Sequence, residues 1–299
     1  MADSAMVDVF SPLGQAFDGH RTLTKALHTD GVRPATAGAI GAFVAQMHLS
    51  SAEVESAATT RGVRAEEEGF VALHAAMAGS SLYQTDVPLH DALESLQSEL
   101  SESLACRCHG HLVAEGMRVS EESWIPVDGS AAGWRWRAVG SAAADVGSFL
   151  ASIFIVGIAR AYSAGALPAP APTWPPAPPS ERSTIHRTAH AFWTAYLKER
   201  CAAYEGELDE VVLLQLCAGY AGCQLLLYTL DESSMGSALD LLPGSDRTSA
   251  IKCAAAVGRE LILHSRDKLT SFDGVLTLFD SNTLDSKHKV QAFCVFEDS

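Results

Sequence analysis

Positive charge is what this chain has least of. Its 21 lysines and arginines stand against 36 aspartates and glutamates, a formal net charge of −15 at pH 7. Nucleic acid and anionic lipid would repel such a surface, which argues against both as partners. Long apolar runs are also missing. The most apolar window, residues 146–161, is shorter than a typical membrane span and is interrupted by Ser148, Ser152 and Arg160, so it reads as a buried helix. No basic segment precedes an apolar run at the N-terminus, as a secretory signal requires, and a cytoplasmic location is expected. A paired set of cysteines is absent too. The seven (Cys106, Cys108, Cys201, Cys217, Cys223, Cys253 and Cys294) are odd in number, and most lie in apolar helical patterns. That suits reduced thiols better than a disulfide framework. Cys106-x-Cys108-His109 has neither zinc-knuckle spacing nor a second pair, so spacing alone does not make it a metal site.

What is present is the composition of a folded protein: 47% hydrophobic and 19% charged residues over 299 positions, enough for one large or two ordinary domains. Residues 1–19 show no sustained period and read as an irregular lead. Helix spacing follows. Ile40, Phe43, Val44 and Met47 share one face, and Leu93, Leu96, Leu100 and Leu104 share another over 89–104. Glu66, Glu67 and Glu68 read as a solvated helix start. Residues 167–179 hold seven of the twelve prolines and must be an extended loop, read as an insertion between two helices. Beyond it, helices are expected with Ile185, Ala189, Phe192, Trp193 and Tyr196 on one face, then over 207–229 and 247–265. Gly219 and Gly222 suggest close approach of a neighbouring element. The tail, 280–299, ends in an apolar run, 290–296, that reads as a short strand.

The chemistry concentrates between Cys106 and Phe154. Met117-Arg118-Val119 and Trp124-Ile125-Pro126-Val127 flank the acidic turn Ser120-Glu121-Glu122-Ser123, a hairpin signal, and Pro126 places its strand beside an unpaired edge. Asp128-Gly129 puts a carboxylate at a chain reversal. Asp145 opens the apolar helix. Trp134 and Trp136 alternate with Gly133 and Arg135, the pattern of an exposed loop with aromatic anchors or of tryptophans folded back into the core.

This stretch resembles the catalytic centre of the aminoglycoside-phosphotransferase-like kinases, and among them the methylthioribose kinases. Their loop of the type H-G-D-L-H-T-G-S is matched by His109-Gly110-His111-Leu112-Val113-Ala114-Glu115-Gly116. Their D-P-E turn is matched by Asp128-Gly129-Ser130, and their helix start by Ala144-Asp145-Val146-Gly147. Further on, residues 218–224 resemble the family's G-F-A-G-C-K-M segment, and 254–266 its closing A-L-x-L-G-R-E-L-I helix. Residues 21–51 are similar to the start of the large lobe, so the likeness covers roughly 20–279 in one order.

The resemblance implies a mainly helical α+β fold with a small β-hairpin, the large C-terminal lobe of a protein-kinase-like enzyme. The family reaction it implies is ATP-dependent phosphorylation of S-methyl-5-thioribose in methionine salvage, with Mg²⁺ and ATP as cofactors. His111 stands at the catalytic Asp position, where neutral imidazole is a base but is longer than a carboxylate. Asp128 is placed to ligate Mg²⁺, or else only caps its turn, and Ser130 replaces the second acid. His109 and Asp145 are expected to be structural: His109 tying the loop to the acidic turn, Asp145 capping its helix or accepting backbone donors. No arginine lies between Arg200 and Arg247, where the family keeps its twin substrate arginines. Residues 1–19 carry no glycine-rich loop and no strand-borne lysine, as a small nucleotide-binding lobe would. The expectation is therefore a relative with ordinary catalysis lost, acting by binding a methylthioribose-like small molecule, another copy of itself or a protein partner. The face near Val127, Trp134 and Trp136 is the expected contact surface. The alternative is a residual small-molecule kinase.

Overall fold

A computed structural model describes residues 21–29, 32–49, 64–81, 83–103, 105–110, 112–120, 124–126, 138–163, 183–204, 208–230 and 237–293. These are mainly helical, with a few short antiparallel strands. After a two-residue strand, β1 (Arg21–Thr22), come α1 (Leu23–Thr29), α2 (Pro34–Leu49), α3 (Ala65–Ala78) and α4 (Val87–Glu102). The strand segment follows: β2 (Ala105–Cys108), a single 3₁₀ turn, β3 (Met117–Val119), β4 (Trp124–Pro126) and β5 (Ala138–Ser141). Among the described residues six helices follow: α5 (Ala142–Ser163), α6 (Thr184–Tyr204), α7 (Glu210–Leu230), α8 (Ser237–Asp240), α9 (Gly244–His264) and α10 (Phe272–Phe293).

The hairpin forms as its alternation predicts, with Met117 opposite Pro126 and Val119 opposite Trp124. Its sheet runs β1-β3-β4, so Pro126 lies on an edge strand, where a missing N–H costs no ladder bond. β2 pairs with β5 in a second, two-stranded sheet, Cys106 opposite Gly140 and Cys108 opposite Ala138.

The core is built around α5. All of its residues from Ala142 to Val156 are buried, and Phe149 and Phe154 have no exposed surface. Phe149 meets Phe192 of α6 at a ring separation of 4.3 Å, and Phe154 stacks on Phe279 of α10 at 4.8 Å. α5 and α7 are both long and apolar enough to cross a membrane, yet 94% and 78% of their most apolar windows are buried inside the protein. The expected shortness of the first is thus corrected: 22 residues would span a bilayer, but the helix is wrapped by other helices and serves as core. α7 approaches α9 closely at Gly222. A β-carbon there would lie 2.5 Å from the Gly258 carbonyl oxygen, so only glycine lets the backbones touch.

Two local expectations change. Glu66 is buried rather than solvated, since its carboxylate accepts from Arg64 Nε and from the Ser141 backbone N–H. The same Arg64 donates to the Leu100 and Ser101 carbonyls at the end of α4. α5 begins at Ala142, so Asp145 stands in its first turn, at the helix start as expected. α10 runs through 272–293, so the expected strand at 290 begins inside a helix and the 279/280 boundary falls mid-helix. The proline-rich loop, Trp134, Trp136, the irregular lead and Leu104 lie outside the described residues.

Candidate functional site

Several buried polar groups gather around the start of α5. β5 runs directly into α5 and places Asp145, 1% exposed, on the helix's first turn. Its carboxylate accepts the His109 backbone N–H at 2.6 Å on Oδ2 and the Gly110 N–H at 2.9 Å on Oδ1. Gly110 takes a φ of 82°, a conformation open to glycine at little cost, and this lets two successive N–H groups face one carboxylate. Of the two roles expected for Asp145, the structure shows the second, acceptance of loop backbone donors.

Behind Asp145 stands His48 from α2, also 1% exposed. His48 Nε2 is 3.2 Å from Asp145 Oδ2, and Nδ1 is 3.0 Å from the Tyr196 hydroxyl on α6. A carboxylate only accepts, so the proton belongs on Nε2 and Nδ1 accepts from the tyrosine O–H. Sequence reasoning placed His48 on an apolar helix and gave it no role; 97 residues separate it from Asp145. α2 and α6 deliver it because they pack along their lengths, so closely at Gly41 that a β-carbon would meet the Phe192 carbonyl oxygen.

Two thiols complete the cluster. Strand alternation turns Cys106 and Cys108 inward and leaves Arg107 exposed. The thiols are 3% and 0% exposed, with their sulfurs 3.6 Å apart. The Cys108 thiol, donating toward Cys106, draws the Cys106 pKa down to about 7 against the opposing effect of burial. Cys108 itself is held well above the ordinary thiol range by that hydrogen bond and by burial. Sγ of each cysteine and a ring nitrogen of His48 all lie within 4.8 Å of one another. Arg200, 5% exposed, stacks over the Tyr204 ring at 4.8 Å, and its Nε and one terminal nitrogen have no hydrogen-bond partner.

Of the four residues singled out in the sequence, His109 and Asp145 are therefore brought together, through the His109 backbone. His111 and Asp128 lie outside the described residues, as do the acidic turn and the His109 contact expected with it. Arg259, on α9, pairs with Asp86 at 2.7 Å. Asp86 is the N-cap of α4 and also accepts from the Leu89 N–H. Among the described residues a separate cavity of about 420 Å³ lies on α6, bordered by His190, Trp193, Lys198, Cys201, Phe272 and Asp273.

Compared with known proteins, the chain matches no family model and no curated protein.

Proposed function

We propose that this protein is a non-catalytic relative of the methylthioribose kinases, a kinase-like large lobe that acts by binding. One observation carries the reading: the Asp145 carboxylate holds two consecutive N–H groups of the His109-Gly110 loop. A buried acid receiving successive loop donors is a device for fixing a loop's backbone, as a phosphotransferase requires of the loop that orients its hydroxyl nucleophile. The residue types the chemistry itself needs have changed. At 111 an imidazole takes the place of the carboxylate, at 130 a hydroxyl takes the place of a metal-binding acid, and no arginine stands between 200 and 247. The loop's support is retained while its reactive groups differ, as expected when binding is kept and turnover lost. A methylthioribose-like small molecule at the loop is the ligand this reading favours, in a cytoplasmic protein with reduced thiols. A protein partner, or a second copy of the chain, is the other ligand this reading allows, at the surface expected near Val127, Trp134 and Trp136, which lie outside the described residues.

The second reading, a residual kinase using Mg²⁺ and ATP, draws on the same fixed loop together with Asp128 as metal ligand and His111 as base. Calorimetric titration with Mg-ATP, followed by a phosphorylation assay on methylthioribose, separates them. Weak or undetectable nucleotide binding and no phosphoryl transfer are expected, and His111→Asp should not restore transfer. Micromolar Mg-ATP affinity with measurable product would overturn the binding-only reading in favour of the kinase.

A further inference from the structure

We propose that His48, Cys106 and Cys108 form a binding site for a d¹⁰ metal ion, zinc(II), at the root of the Asp145 loop. The inference is independent of the kinase likeness and rests on the side chains alone.

The donor set is chemically selective. Two thiolates and an imidazole suit zinc and exclude magnesium and calcium, which take oxygen ligands. The spacing also fits. Zinc–sulfur bonds of about 2.3 Å at a tetrahedral angle bring two sulfurs about 3.8 Å apart. Here the sulfurs are 3.6 Å apart, set by two inward positions of one strand, so the thiols need almost no movement. The same geometry asks for about 3.6 Å between sulfur and ring nitrogen. All three donors lie within 4.8 Å of one another, so His48 has about 1 Å to travel at most.

The surroundings supply what a ligating imidazole needs, an oxygen partner on its other nitrogen that fixes tautomer and ring plane. Whichever nitrogen of His48 takes the metal, the other keeps one in place: Asp145 on Nε2 or Tyr196 on Nδ1. Charge balances as well. Binding converts two thiols to thiolates, forms two sulfur–metal bonds and one nitrogen–metal bond, and releases two protons to solvent. The dication and two thiolates sum to zero, so the buried cluster carries no net charge beyond that of Asp145. Arg200, buried with two unpartnered nitrogens, adds positive charge on the same side. The fourth position of a tetrahedral ion would be filled from outside these three side chains. Bound metal would tie β2 to the end of α2 and hold the support of the His109-Gly110 loop rigid.

The test uses the reduced full-length protein under anaerobic conditions, with cobalt(II) as spectroscopic probe and zinc(II) as competitor. One cobalt per chain is expected, with sulfur-to-cobalt charge-transfer absorption and the intense visible bands of a tetrahedral thiolate site. Zinc should bleach both in a one-to-one titration, and loading the metal-free protein near neutral pH should release between one and two protons per metal. At a hundredfold excess over its Kd, zinc should raise the thermal midpoint by about 4 °C, reversed by chelator. Cys106→Ser and Cys108→Ser should each lose most of the charge-transfer intensity. His48→Gln should keep that band but shift the visible ones, and Cys201→Ser should match wild type. The wild-type spectrum and the zinc-dependent midpoint require no substitution, so both remain decisive even where a variant fails to fold. A wild-type protein without the charge-transfer band overturns the proposal. So does a band that survives both cysteine substitutions, or a His48→Gln spectrum identical to wild type.

Discussion

The helical body and the polar cluster of this molecule are held by different forces and tolerate change differently. In the body, α5, α7 and α9 bury apolar side chains and touch backbone to backbone, so stability comes from excluded water and close packing. In the polar cluster, Asp145, His48, Tyr196 and the two thiols satisfy one another in a place where water cannot. There the cost of breaking one partner exceeds the value of making it, because whatever is left behind stays buried and unpaired. The body should therefore respond to volume, and the polar cluster to chemical identity.

The largest effect should come from volume. Phe154→Ala leaves a cavity against Phe279 and should cost about 3–5 kcal/mol in urea unfolding, whereas Phe154→Leu should recover most of it. A comparable loss in both variants would break the distinction. Asp145→Ala, in the polar cluster, should follow at about 3 kcal/mol, since it strands two N–H groups and the His48 ring. Here the near-isosteric Asp145→Asn should rescue only part, because an amide offers one acceptor oxygen instead of two. Full rescue would mean that shape governs the cluster as well.

Gly222→Ala tests the backbone contact in the body. Its new methyl must displace the Gly258 carbonyl, at an expected cost of about 1–3 kcal/mol. A neutral result would show that α7 and α9 can slide apart without loss.

The smallest effect belongs to the half-buried Arg259–Asp86 pair. Arg259→Ala should cost about 0.5–1 kcal/mol at neutral pH, since solvent screens much of the interaction. The Arg259 hydrogen bond holds the Asp86 carboxyl below its ordinary range. A carboxyl whose folded pKa is lowered contributes stability above its unfolded value, about 3.9, and loses it as pH falls through the folded value. The difference between wild type and Arg259→Ala should thus be constant near neutrality and shrink on acidification below about pH 4. A difference that grew in acid would contradict the pairing.

The two regions were also unequally legible. Apolar spacing located α2, α4, α6, α7 and α9 to within a few residues, because a helix face repeats every three to four positions and needs only its own segment to be seen. The hairpin was legible for the same local reason, from two alternating runs around a polar turn. One error arose where a distant partner overrides local character. Glu66 looks solvated until Arg64 and the Ser141 N–H are placed beside it. The strand expected from 290 is a different, local error, since its first four residues belong to the end of α10.

Sequence by itself determined the helical class, the apolar core helix at Asp145 and the hairpin, since each depends on residues close in the chain. Tertiary structure alone decided the composition of the polar cluster. His48 reaches Asp145 and the thiols only because α2 packs along α6 and stops at the level of β2, and Cys106 and Cys108 face it only because their strand pairs with β5. Such a cluster has no period and no spacing to read, because its members meet through the packing of elements that share no local pattern.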